Sequence, residues 1–138
     1  MICHSVVISA PPEVVFGHYA DVSSWPLWDE QVAEVSLPEG LVAGSAGWLK
    51  PAHGPRARIA VTEAEAGKSF TVESRLPLCR MIFTHRLETD GTGTRATHCL
   101  AFRGPLAFAF RRLLGPSLGA ALPSALAGLK RMSEARAQ

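Results

Sequence analysis

Two histidines on either side of a glycine-containing turn could do acid–base or hydrogen-bonding chemistry. His85 belongs to the alternating segment 79–89, and His98 belongs to the next one, 94–103. In each segment the histidine shares its face with apolar residues. A two-residue turn at 91–92 places His85 and His98 directly opposite each other. Because imidazole titrates near neutral pH, the pair could transfer a proton or donate a hydrogen bond to a carbonyl-rich ligand.

The same two side chains also have a structural interpretation, which stays open from the residues alone. Each imidazole could satisfy a neighbouring carbonyl or hydroxyl, or face water at an end of the sheet. A metal site would need a third ligand. Cys79 is about 20 Å from His85 along the same strand at the usual rise, which is too far to supply it. We therefore expect no metal and no cofactor.

The central part of the chain, 31–103, has a hydrophobic period near two and predicts antiparallel strands. Turn-forming sequences at 38–40 and 53–55 separate the apolar runs. Short connections of this kind favour hairpins over parallel crossovers. A β-branched segment near the N-terminus adds a further strand. The predicted strands are 3–9, 31–37, 44–51, 56–65, 69–76, 79–89 and 94–103.

Helical periodicity marks the two ends of the chain. Pro11 and Pro12 precede a predicted helix over about 12–21, and a short helix or turn follows at 26–30. After 104–105 a period of 3.6 predicts a long amphipathic helix. We expect Gly115-Pro116 and Pro123 to kink or split it, because each proline removes a ladder hydrogen bond. The apolar stripe comprises Leu106, Phe110, Leu113, Leu118, Leu122, Leu126, Leu129 and Met132.

This order of elements predicts an α+β fold with a seven-stranded antiparallel curved sheet and a long C-terminal helix. The concave face of such a sheet needs a partner, and the C-terminal helix is the element long enough to cover it. The space between them suits an apolar ligand. The candidate ligand-binding side chains are Tyr19, Trp48, Phe70, Val72, Met81, Phe83, Leu100, Phe102 and Phe110.

Four of the aromatic and basic side chains keep more than one interpretation. Tyr19 fits core packing or proton donation, and Trp48 could line the mouth of the cavity. Arg56 and Arg58 alternate with apolar residues and are expected on the outer face. If the polarity of that strand were reversed, an arginine would lie in the cavity and could bind a carboxylate or enolate.

Composition and charge exclude several classes of protein. Hydrophobic residues make up 47% of the 138 residues, yet no run approaches the roughly 18 apolar residues of a spanning helix. The net charge is +2 and the basic residues are scattered, so we expect no nucleic-acid partner. Cys3, Cys79 and Cys99 are odd in number and widely spaced, which predicts reduced thiols. With no secretion signal in the N-terminal segment, we expect a cytoplasmic location.

Three parts of the sequence carry a resemblance to a known superfamily. They are APPEVVF at 10–16 with WPLWDEQV at 25–32, GTRATHCLAF at 93–102, and LPSALAGLKRMSEA at 122–135. These segments are similar to the START-like (SRPBCC) superfamily, and most closely to its polyketide cyclase/dehydrase branch. The resemblance covers the chain, 1–138, as a single START-like domain and implies a helix-grip (Bet v 1-like) fold. Members bind hydrophobic molecules, lipids included, and some catalyse cyclisation or aromatisation of polyketides.

The residues and the resemblance together leave two main functions open. The favoured one is binding of a small hydrophobic or aromatic molecule between the sheet and the C-terminal helix, because the predicted inner face is mainly apolar. The alternative is a polyketide cyclase/aromatase-like enzyme that promotes aldol condensation and dehydration, with His85 and His98 as acid and base. A protein-interaction role has less support, because no large exposed apolar patch can be inferred. A homodimer is left open.

Overall fold

In the computed structural model, which describes residues 1–137, a seven-stranded antiparallel sheet wraps around a long helix. The strand order is β1-β7-β6-β5-β4-β3-β2, so successive strands from β2 onward form hairpins and β1 pairs with β7. The α+β helix-grip prediction is confirmed. The elements are β1 Ile2–Ile8, α1 Pro12–Ala20, a 3₁₀ turn Val22–Ser24, α2 Trp25–Trp28, β2 Val32–Ser36, β3 Ala46–Pro51, β4 Ala57–Glu65, β5 Ser69–Leu76, β6 Cys79–Asp90, β7 Gly93–Arg103 and α3 Ala107–Ala137.

The turn between β6 and β7 sets the register that matters for the site. Asp90 pairs with Gly93, which leaves a two-residue turn, and Gly91 adopts a φ of 63° there. In this register His85 pairs with His98, as turn length and alternation predict. The predicted strands begin and end within two residues of those observed.

Helix α3 runs from Ala107 to Ala137 without interruption, although Pro116 and Pro123 lie inside it. The predicted split is therefore wrong. Tertiary packing supports the helix where ladder bonds are missing, because two glycines allow close approach. A Cβ on Gly119 would lie 3.1 Å from the Ile2 side chain, and one on Gly128 would collide with the backbone carbonyl of Trp28.

The first turns of α3 are more exposed than the predicted apolar stripe implies. Leu122, Leu126 and Leu129 are buried, whereas Leu106 is 39% exposed and Leu113 is 73% exposed. These first turns lie beside the turn between β5 and β6, where the Leu106 N–H donates a hydrogen bond to the Leu78 carbonyl at 3.0 Å. Burial of the stripe is thus limited to its C-terminal part. None of the helices within residues 1–137 has the length and hydropathy of a membrane-spanning segment.

Two of the three cysteines form a disulfide, so the prediction of reduced thiols is wrong for them. Cys3 and Cys99 are directly paired residues of β1 and β7, although 96 positions separate them in the chain. Cys79 is free and buried. Strand pairing, which spacing does not reveal, brings the two thiols together. The argument from cysteine usage to a cytoplasmic location therefore no longer holds.

Candidate functional site

A row of three histidines crosses the concave face of the sheet. His4 of β1 pairs with His98 of β7, which pairs with His85 of β6, and Phe70 of β5 continues the row. Directly paired residues point to the same side of a sheet. His4 is exposed, His98 is buried and His85 is half-buried. The row therefore leads from solvent at the β1 edge to the middle of the sheet.

Tyr19 of α1 reaches the buried centre of this row. Its hydroxyl Oη lies 2.7 Å from Nε2 of His98, and the tyrosine is fully buried. Val15 and Tyr19, four residues apart, form the buried face of α1. The indole Nε1 of Trp25 donates to the Tyr19 carbonyl at 3.0 Å, which ties the end of α1 to α2. Two helices and the sheet thus fix the position of the hydroxyl.

The tautomer of His85 follows from its hydrogen bond. Its Nδ1 lies 3.3 Å from the carbonyl oxygen of Phe70. A carbonyl only accepts, so the proton of neutral His85 sits on Nδ1, and Nε2 carries an unshared lone pair. The Phe70 ring stacks on the imidazole with centroids 3.9 Å apart and planes 3° apart. The His85 and His98 rings lie 4.5 Å apart, so Tyr19, His98 and His85 form one contiguous group, which we call the Tyr–His cluster.

The Tyr–His cluster is polar but uncharged at neutral pH. Burial lowers the pKa of His85 to about 4, and the hydrogen bond to Phe70 only partly opposes this. Burial also lowers the pKa of His98 well below its ordinary value, and the proximity of His85 adds to this effect. Burial raises the pKa of the Tyr19 hydroxyl. All three groups are therefore neutral, and Tyr19 and His98 are already hydrogen-bonded to each other.

The inner face beside the cluster is incompletely covered. Met81, Phe83 and His85 lie on β6, the third strand of seven, and yet all three are only half-buried. Helix α3 lies mainly against β1 and β7, so its cover does not extend fully across β6. Buried Leu100 and Phe102 of β7 flank this stretch. The uncovered stretch of β6 is apolar except for His85.

Most of the predicted ligand-binding residues gather on the concave side. Tyr19, Phe70 and Val72 pack in the apolar cluster beneath α1 and α2, whereas five others lie in a second cluster beneath the first half of α3. The role of these residues in binding stays a prediction. The second cluster includes Met81, Phe83, Leu100, Phe102 and Phe110.

Trp48 lies on the convex face, so its predicted place at the cavity mouth is wrong. It pairs with Arg58 of β4, and the Arg56 guanidinium lies 3.9 Å from the centroid of its ring. The inward residue of β3 is Leu49, which packs against the core. Both arginines therefore lie on the convex side with Trp48.

His4 is the member of the histidine row that sequence reasoning missed. The signal was present, because Ile2, His4 and Val6 alternate on the concave face of β1. Within residues 1–137, no group of three or more side chains is arranged to hold a metal ion.

Solved structures similar to this chain share its fold. TTHA0849 from Thermus thermophilus is 19% identical with a TM-score of 0.76 and covers 99% of both chains. Ara h 8.0201 is 11% identical with a TM-score of 0.65, covering 92% of this chain and 95% of its own. The di-domain ARO/CYC StfQ from the steffimycin biosynthetic pathway is 14% identical with a TM-score of 0.76, covering 98% of this chain and 50% of its own. At these identities the likeness establishes the fold alone.

The sequence itself places the chain in a family. No curated protein sequence matches it. A family model does match residues 2–134, which is nearly the whole chain, and it describes polyketide cyclase/dehydrase and lipid transport proteins. The chain belongs to this polyketide cyclase/dehydrase and lipid transport family of the START-like (SRPBCC) superfamily.

Proposed function

We propose that the protein binds a small hydrophobic or aromatic molecule bearing a hydroxyl or enol group, between the concave face of the sheet and α3. The observation that supports this most is the environment of His85. Its Nδ1–H donates a hydrogen bond to the Phe70 carbonyl, and its Nε2 lone pair is unshared. The side chain is half-buried beside Met81 and Phe83. An acceptor of this kind on an apolar surface suits a ligand with one polar group.

The chemistry of the site favours a neutral ligand. The apolar body of the ligand would contact Met81 and Phe83, while its hydroxyl donates to Nε2 of His85. A net hydrogen bond contributes about 0.5–1.5 kcal/mol, or roughly twofold to tenfold in affinity. A charged ligand would lose its hydration without an opposite charge in the Tyr–His cluster, at a much larger cost.

A cyclase/aromatase-like activity is the second candidate. In its favour, the Tyr19 hydroxyl and the His85 lone pair lie in one cluster, with ring centroids 5.7 Å apart, as an acid and a base would. The similarity to StfQ, an ARO/CYC protein, adds support from the fold. Against it, a pKa of about 4 makes His85 a weak base at neutral pH, whereas general bases work best with a pKa near the operating pH. Binding is therefore the better-supported function.

Paired ligands that differ by one hydroxyl test the proposed binding. We would measure the affinities of 2-naphthol and naphthalene for the wild type and for His85→Phe, following tryptophan fluorescence. We expect the wild type to prefer 2-naphthol by roughly twofold to tenfold. His85→Phe keeps a ring against Phe70 but lacks the acceptor, so the preference for 2-naphthol should be lost.

The matched control is Thr84→Val, which removes a polar group from the opposite face of the same strand. It should keep the preference of the wild type. A preference that persists in His85→Phe, or no binding of either ligand to the wild type, would contradict the proposal. Loss of water from a linear poly-β-keto thioester, abolished by His85→Phe and detected by mass spectrometry, would favour the enzyme instead.

A further inference from the structure

Four large apolar side chains are exposed in the region where the turn between β5 and β6 meets the start of α3. The hydrogen bond from Leu106 to Leu78 joins these two segments. Leu106 directly precedes α3, and Phe108 and Leu113 lie within its first two turns. The exposed fractions are 66% for Leu78, 39% for Leu106, 67% for Phe108 and 73% for Leu113. We call these four residues the apolar tip; the sequence did not reveal them as an exposed patch.

A row of arginines borders the apolar tip on the convex side of the sheet. Arg75 pairs with Arg80 across β5 and β6, and Arg80 pairs with Arg103 across β6 and β7. Like charges placed directly opposite each other destabilise a sheet. Among the ion pairs formed within residues 1–137, only the 3.0 Å contact of Arg80 with Glu73 reaches this row. The row therefore keeps an excess of positive charge next to the tip.

The chain that follows β6 adds no negative charge near the tip. Between Asp90 and Glu134 the sequence contains neither aspartate nor glutamate, while Arg111 and Arg112 follow directly in α3. Both arginines are exposed. The tip is thus an apolar projection with cations on the sheet side and on the helix side.

The backbone at Leu78 also holds an apolar side chain outward. It has a φ of 53°, and no other non-glycine residue within 1–137 has a positive φ. Leucine rarely adopts this conformation, which glycine or asparagine would accept readily. Leu78 is the second residue of the two-residue turn between Leu76 and Cys79, and its side chain extends into solvent there.

We propose that the apolar tip docks on the surface of an anionic phospholipid bilayer. Apolar side chains on a convex projection can enter the boundary between headgroups and acyl chains, while flanking arginines contact the phosphates. A protein partner would need a groove shaped to receive the projection, whereas a bilayer accepts it without one. This surface lies apart from the Tyr–His cluster, so the proposal does not depend on the identity of the ligand.

Vesicle co-sedimentation tests this docking with the intact protein. We would compare vesicles of phosphatidylcholine alone with vesicles that also contain about 30% phosphatidylglycerol. Each arginine near an anionic surface contributes roughly fivefold in affinity, so three or more should give preference for the anionic vesicles above a hundredfold and strong weakening by salt. Arg103→Gln should weaken binding about fivefold, and Phe108→Ser together with Leu113→Ser should abolish it.

Two matched controls separate docking from general effects of substitution. Leu27→Ser removes a leucine that is 65% exposed away from the tip, and Arg86→Gln removes an exposed convex-face arginine from the other part of β6. Both should bind like the wild type. Equal weakening by either control, or equal binding to both kinds of vesicle, overturns the proposal. Absence of vesicle binding by the wild type also overturns it, and leaves an acidic protein as the partner that fits the surface.

Discussion

The neutral, half-buried imidazole of His85 makes the stability of the fold depend on pH. In the unfolded chain this histidine has its ordinary pKa of about 6.5, whereas in the folded protein the pKa is about 4. As the pH falls below 6.5 the unfolded chain binds the proton first, so unfolding becomes more favourable. The contribution is fully present above pH 6.5 and is lost progressively as the pH falls towards 4.

The size of this effect follows from the two pKa values. Linkage gives a loss of about 2 kcal/mol at pH 5 and about 3 kcal/mol at pH 4, relative to pH 7. His98 acts in the same direction, because its pKa is also lowered. Out of a typical stability of roughly 5–15 kcal/mol, such a loss is large enough to measure.

Urea unfolding of wild type and His85→Gln between pH 7 and pH 4 measures the effect. The glutamine amide can still donate to the Phe70 carbonyl but does not titrate. Carboxylates such as Asp29, whose pKa burial raises, titrate alike in both proteins and cancel from the difference. The wild type should lose about 3 kcal/mol more than the variant by pH 4. His53→Gln, which alters an exposed histidine, should behave like the wild type, and parallel curves for wild type and His85→Gln would refute the reasoning.

Four further outcomes are expected from urea unfolding at neutral pH. Tyr19→Phe should lower the free energy of unfolding by about 1–3 kcal/mol, because it leaves a buried imidazole nitrogen without its partner. An unchanged urea midpoint would show that the hydrogen bond between Tyr19 and His98 does not stabilise the fold. Reduction of the Cys3–Cys99 disulfide should cost about 2–5 kcal/mol, since the bond joins residues 96 positions apart, and a Cys3→Ser variant should no longer respond to reductant. Gly128→Ala should destabilise by about 1–3 kcal/mol because its Cβ meets a backbone carbonyl of α2. Gly17→Ala, where a Cβ meets nothing within 4 Å, should instead stabilise by roughly 0.5–1 kcal/mol.

Register and topology could be predicted because local chemistry determines them. The glycine-containing turn at 91–92 fixes the pairing of β6 with β7, and alternation then assigns His85 and His98 to the same face. The partner of His98 could not be found in this way. Tyr19 lies 79 positions away in a helix, and only the packing of α1 on the sheet brings its hydroxyl to the imidazole.

The predictions failed in two situations. In one, buried and exposed residues alternate only weakly along a strand; in the other, the partner of a residue is remote in the sequence. In β3 nearly all residues are half-buried, so alternation did not reveal that Trp48 faces outward. The pairing of Cys3 with Cys99 depends on β1 joining the far end of the chain. Leu106 and Leu113 fit the apolar stripe of the C-terminal helix, but the N-terminal part of that stripe is left exposed.

The most direct test of the proposed binding site is nitrogen-15 NMR of the histidine side chains, with and without 2-naphthol. The structure predicts that His85 is neutral at pH 7 with its proton on Nδ1. Addition of 2-naphthol should shift the signal of the unprotonated Nε2 as it accepts the ligand hydroxyl, and naphthalene should leave that signal nearly unchanged. A proton found on Nε2 in the free protein, or an Nε2 signal that does not respond while 2-naphthol binds, would contradict the account.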